Sequence, residues 1–230
     1  DILTGGSSDS LNDSMHASGG NIEVRGNLRL SSGRTLSTGN GGGSILLEDV
    51  SGPGHILDLR AGSGDVNLEG PIGNGVPIGL LNIEAANVDL DANADVEGLR
   101  VSTGTFELNS VAAGDLTLTL DVNGVDSWIE ASGAITVGDP RGDVIKDSVG
   151  SAEFYLRSSE ATAPFAIGSG AGVTAHVTDT FLAAFDGSFT GIEVGFDGNQ
   201  TGTPTNTKQS GQLTIVDEGS AFTLAEALTL

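Results

Sequence analysis

Residues 56–109 read ILDLRAGSGDVNLEGPIGNGVPIGLLNIEAANVDLDANADVEGLRVSTGTFELN, and the fold is decided there. Short runs alternate apolar and polar residues: Leu57-Asp58-Leu59, Val66-Asn67-Leu68, Leu81-Asn82-Ile83, Val88-Asp89-Leu90, Leu99-Arg100-Val101 and Phe106-Glu107-Leu108. A period of two sends every other side chain to one face, so each run reads as a half-buried strand. Between them, Ala61-Gly62-Ser63-Gly64-Asp65, Gly73-Asn74-Gly75-Val76-Pro77 and Ser102-Thr103-Gly104-Thr105 are turn chemistry. The runs stand too close for crossover helices, and pairs of them recur roughly every 20 residues, the range of solenoid repeats. One such coil cannot cover its own apolar face, whereas a stack of coils can. The reading is all-β: a parallel β-solenoid.

The pattern extends both ways. Ile22-Glu23-Val24, Leu28-Arg29-Leu30 and 45–48 precede the central stretch, around a Gly39-Asn40-Gly41-Gly42-Gly43 corner. After it come Leu116-Thr117-Leu118-Thr119-Leu120, 129–131, 135–137, Phe154-Tyr155-Leu156, 173–177, 181–189, 192–196 and Leu213-Thr214-Ile215. The solenoid is therefore assigned to 21–230. Residues 1–20 are rich in Gly, Ser, Asp and Asn and are predicted to form a flexible or assembly arm. The polar segments 138–150 and 197–211 read as loop excursions, which loop-closure entropy tolerates. The apolar 221–230 reads as a C-terminal cap or joining segment. Most of the eight Phe lie after position 150, which predicts a wider core in that half.

Composition narrows the function. The chain has 36 Gly in 230 residues, about twice the usual share of roughly 7%, as many tight corners demand. Aromatics are only 4%, so the core is expected to be a narrow column of aliphatic side chains. Nine basic residues face 31 acidic ones, for a net charge of −22. That balance excludes nucleic acid, whose phosphates need a Lys/Arg stripe, and disfavours anionic lipid. An acidic surface also stays soluble and attracts divalent cations. Without cysteine there are no disulfides or thiolate metal sites. No apolar run approaches the ~18 residues of a membrane span. The chain opens on Asp1 without a leader-like segment, which reads as a processed product or a piece of a longer chain.

The stretch GDVNLEGPIGNGVPIGLLNIEAANVDLDANADVEGLRVSTGTFELN, beginning at Gly64, resembles the repeats of filamentous-haemagglutinin-like bacterial surface proteins, where blocks of the form GDV-x-L-x-G-x-IG … LG-x-L-x-I recur. The later VTDTFLAAFDGSF at 177–189, followed by Gly191-Ile192-Glu193-Val194-Gly195, resembles another block of that family. The resemblance implies a right-handed parallel β-helix, secretion to the cell surface, and a role in adhesion or a surface filament. It carries no catalytic residues.

The sharpest local motif is Asp89-Leu90-Asp91-Ala92-Asn93-Ala94-Asp95. Asp89, Asp91, Asn93 and Asp95 offer oxygen ligands at alternate positions, as in the first half of a calcium loop. Ala94 in place of the turn glycine and Arg100 in place of the bidentate Glu count against an EF-hand. The competing reading points Val88 and Leu90 inward and leaves Asp89 and Asp91 as a solvated strand face. If calcium binds, the expected place is an acidic row shared by neighbouring coils, about 4.8 Å apart.

Glycoside chemistry needs paired carboxylates, and Asp58, Asp89, Asp91 and Glu107 are expected on one external sheet. No basic cluster is evident to balance an acidic sugar, and Trp128 and Tyr155 are the only Trp and Tyr. His16, His55 and His176 are dispersed, and no G-x-S-x-G is present. Arg141-Gly142-Asp143 forms an integrin-type tripeptide in the polar excursion.

A solenoid leaves unpaired backbone groups at its two ends, where another chain can add. Contacts that join head to tail without closing build filaments. The expectation is a structural extracellular rod or adhesin-type filament subunit, without catalysis or a required cofactor. Its partners are other copies or a continuing chain, with a surface carbohydrate or host ligand as its target. The alternatives are a carbohydrate-active enzyme on the same scaffold and a calcium-dependent binding module.

Overall fold

The alternating runs do pair, and they pair in parallel throughout. The computed structural model describes residues 14–110, 114–120, 127–138, 142–159, 163–168 and 173–195, and the backbone of strands Ile2–Gly5, Asp9–Leu11, Leu213–Ile215 and Leu228–Thr229. Twenty strands join into one hydrogen-bonded sheet among the described residues, and the single helix there is the short Asp179–Ala183. No helix among them is long and apolar enough to cross a membrane.

The pairings fall into three ladders. The first links Ile2–Gly5, the front halves of Ile22–Leu30 and Ile45–Ser51, then Asp65–Leu68. It continues through the back halves of Ile78–Leu90 and Ala94–Leu108 to Ala134–Val137. The second links Asp9–Leu11, the back halves of Ile22–Leu30 and Ile45–Ser51, a bridge at Ile72, Ala94–Val96, Thr117–Leu120 and Val144–Asp147. The third links Met15–His16, Arg34–Ser37, Leu57–Arg60, the front of Ile78–Leu90, Leu99–Thr103, Ser127–Ala131, Glu153–Ser158 and Gly191–Val194.

Each ladder has a wet face and a dry face. Ile22, Ile45, Val66, Val88, Phe106, Ile135 and Val177 stand in register on the first, none more than 1% exposed. The intervening residues are partly exposed, and all but Leu46 are polar: Glu23, Asn67, Asp89, Glu107 and Thr136. Parallel sheets elsewhere are usually covered by helices on both faces. Here the apolar faces of all three ladders meet in one buried cluster, which joins Ile22, Leu28 and Leu36.

Rungs are not evenly spaced in sequence. One step takes 18 residues from Val88 to Phe106 and 29 from Phe106 to Ile135. The order also departs once from the chain: Ala175–Val177 lies between Ala134–Val137 and Phe165–Ile167 on the first ladder.

The corner from third ladder to first is lined by glycine. A Cβ on Gly43 would overlap the Gly20 carbonyl oxygen, and one on Gly64 the Gly43 oxygen. Buried Thr38 donates its hydroxyl to that Gly43 carbonyl at 2.8 Å. Side chains there would force the coils apart, so Gly64→Ala is expected to cost about 2 kcal/mol, read as a lower urea midpoint.

Within the predicted flexible or assembly arm 1–20, the described strands Ile2–Gly5, Asp9–Leu11 and Met15–His16 are each paired rungs. The polar excursion at 138–150 contains the strand Val144–Asp147, whose inward positions are Ile145 and Asp147. One of its two core-facing residues is charged, so the apolar alternation was invisible. The run 181–189 opens inside a helix, capped where the Thr178 hydroxyl accepts from the Phe181 N–H. The segment 197–211 lies outside the described residues, as does most of 221–230, of which Leu228–Thr229 is a strand.

Candidate functional site

Five runs of the third ladder build one cleft. Leu57-Asp58-Leu59-Arg60, Leu81-Asn82-Ile83-Glu84, Leu99-Arg100-Val101-Ser102, Ser127-Trp128-Ile129-Glu130 and Phe154-Tyr155-Leu156-Arg157 stack rung on rung. Their apolar members face the core, so the polar ones form two outward columns. One column reads Asp58, Asn82, Arg100, Trp128, Tyr155; the other reads Arg60, Glu84, Ser102, Glu130, Arg157. Most of these groups line a cleft of about 530 Å³, within the size range of small-molecule sites.

The charges in it are unevenly partnered. Arg157, 6% exposed, pairs with Glu130, and its guanidinium lies 5.0 Å from the Trp128 ring centre. Burial pushes the Glu130 carboxyl up, against the pull of Arg157 and a hydrogen bond with Ser102. Asp58 accepts from Asn82 at 2.6 Å and from the Thr35 hydroxyl at 3.3 Å. Arg100 enters no ion pair among the described residues, and its Nε, like that of Arg157, is buried without a hydrogen-bond partner. Three of the chain's nine basic residues, Arg60, Arg100 and Arg157, therefore line one cleft with its only Trp.

This cluster corrects the expectation that no basic group stands ready for an acidic ligand. The signal was present in the five alternating runs, where Arg60, Arg100, Trp128 and Arg157 all hold outward positions. Only the uneven spacing of the rungs hid their convergence.

The four predicted calcium ligands have separate partners. Asp89 stands in register with Glu107 on the first ladder. Asp91 accepts from the Ser110 hydroxyl, Asn93 from the Thr117 N–H and Asp95 from the Gly75 N–H. Among the described residues no group of three His, Asp or Glu is arranged to hold a metal ion. Of the carboxylates expected on one external sheet, Asp58 lies on the third ladder and Asp89 and Glu107 on the first. Arg141 lies outside the described residues, and Asp143 of the same tripeptide is buried, accepting from Asn109 and the Leu116 N–H. An integrin-type motif needs that carboxylate exposed.

Burial raises the Asp89 carboxyl, and Asp91, Glu107 and Asp65 add to the effect. The folded state then holds this proton more readily than the unfolded chain, so stability falls as pH rises through the raised value. Asp89→Asn is expected to gain about 0.5 kcal/mol at neutral pH, after allowance for solvent screening. The gain disappears below the ordinary carboxylate range, where both forms are neutral. Urea melts at two pH values check it.

The chain matches no family model, no curated protein and no solved structure.

Proposed function

We propose that the chain is a structural, extracellular rod: a right-handed parallel β-helix of the filamentous-haemagglutinin-like type, used as a surface filament or adhesin-type subunit. The observation that carries the reading is the register of the three ladders, which advance together around one core. Such a stack grows along one axis with backbone hydrogen bonds and needs no catalytic site to perform its task.

The outer rungs support assembly. Among the described residues Ile2–Gly5 pairs only with Ile22–Leu30, and Leu228–Thr229 only with Gly191–Val194. A strand paired on one side offers a row of backbone donors and acceptors to the next chain. A second copy or a continuation of the same chain fills it, and repetition without closure yields a filament. The 31 acidic residues keep the sides of such rods apart.

Small-angle scattering and negative-stain microscopy test this together. A rod cross-section in the scattering curve and end-to-end chains at high concentration are expected. A globular scattering profile would sink the β-helix. Rods that stay single at every concentration would sink the head-to-tail filament.

A further inference from the structure

We propose that the cleft on the third ladder binds a sugar residue bearing a single carboxylate, with Arg100 reading the charge and Trp128 supporting the ring. The site is local to five stacked rungs, so it stands whether or not rods polymerise.

Arg100 carries the assignment. A guanidinium presents donors in a planar fork that matches a carboxylate in bidentate fashion. Arg157 pairs through Nη2 with Glu130, whereas Arg100 enters no ion pair among the described residues, and its buried Nε, like that of Arg157, has no acceptor. A buried donor without an acceptor is costly until a ligand supplies one. The residues in register on either side of Arg100 are Asn82 and Trp128. Asn82 is an amide suited to hydroxyls, and Trp128, one face of which the Arg157 guanidinium covers, leaves its other face and edge to sugar C–H groups.

Charge balance bears on which anion fits. Asp58, Glu84 and Glu130 share the cleft with Arg60, Arg100 and Arg157, so its formal charges cancel, while the whole chain carries −22. A phosphate dianion or a densely sulfated polymer meets the chain's long-range repulsion and brings more charge than Arg100 alone matches. A monoanionic sugar places its one charge on Arg100 and turns hydroxyls toward the carboxylates. The fitting ligand is thus a glycan with isolated acidic residues, a uronate-type sugar among neutral ones.

Trp128 is the only tryptophan, so intrinsic fluorescence reports on this cleft directly. The full chain is titrated with methyl glucuronide, methyl glucoside, inorganic phosphate and a glutamate-containing tripeptide, with calorimetry alongside. A saturable response to the glucuronide is expected, at least tenfold weaker for the glucoside. Arg100→Gln should lose at least tenfold in affinity, while Arg29→Gln, exposed on the second ladder and outside the cleft, changes it less than threefold. Circular dichroism checks that each variant folds; if Arg100→Gln does not, Arg100→Lys, which keeps charge but not the fork, should still lose several-fold. Equal binding of the glucoside, or unchanged affinity in both Arg100 variants, overturns the proposal. So does a stronger response to phosphate or to the tripeptide, which would reassign the cleft to that ligand. A scattering profile that denies the rod leaves these titrations unaffected.

Discussion

Phe154→Ala is expected to lower stability by about 4 kcal/mol, the scale for deleting a buried phenyl group. Phe154 is fully buried on the third ladder. Its ring stands edge-to-face against Phe185 at 5.3 Å and Phe189 at 5.9 Å. Phe185 meets Phe181, and Phe181 meets Phe106 on the first ladder at 6.0 Å. Five rings thus pack between the first and third ladders. Alanine leaves a cavity that its buried aromatic neighbours Phe185 and Phe189 close only in part. Phe154→Leu keeps most of the volume and loses chiefly the ring contacts, so about 1 kcal/mol is expected. Urea melts followed by circular dichroism compare them; a loss under 1 kcal/mol for the alanine variant contradicts this packing.

Asp147→Ala is expected to cost about 3 kcal/mol, because one buried carboxylate holds a whole turn. Asp147 occupies an inward strand position at 4% exposure. It accepts from the backbone N–H of Val149 at 2.9 Å, Ser151 at 2.7 Å and Ala152 at 2.9 Å. Burial alone would raise its carboxyl. The N–H groups of Ala152, Val149, Ser151 and Gly150 outweigh burial and hold it below the ordinary value. A depressed folded-state value means stability that is present above the unfolded carboxylate range, about 3.9, and lost as pH falls through the folded value. The gap between wild type and Asp147→Asn should therefore be full at neutral pH and close in acid. A gap that persists unchanged below the folded value would rule out the ionised carboxylate as its source.

The ladders were legible because alternation is local: Leu57-Asp58-Leu59 and Val88-Asp89-Leu90 declare their inward residues without help. The rung at Val144–Asp147 was not, because a carboxylate sits where the pattern demands an apolar residue, and its compensating donors come from the turn that follows. The helix Asp179–Ala183 was hidden for a related reason. Its Phe181 and Leu182 fit a strand as well as a helix, and what separates the two is the Thr178 cap. The cleft needed one step more. Arg100, Trp128 and Arg157 were each visible as outward residues, but their proximity depends on which rungs are neighbours. That is set by loops of uneven length, about which period-two alternation says nothing.

The rung taken out of turn has a kinetic consequence. Phe165–Ile167 leaves the chain first, yet its described partners are the later Ala175–Val177 and Leu213–Ile215. A chain that orders from its N-terminal side can lay down each earlier strand on a finished template, but this one must wait until the strand behind it has docked on Ala134–Val137. Contacts deferred in this way slow folding. Pulse-labelled hydrogen exchange during refolding should therefore protect the amides of Ala175–Val177 before those of Phe165–Ile167, inverting the sequence order at that one place.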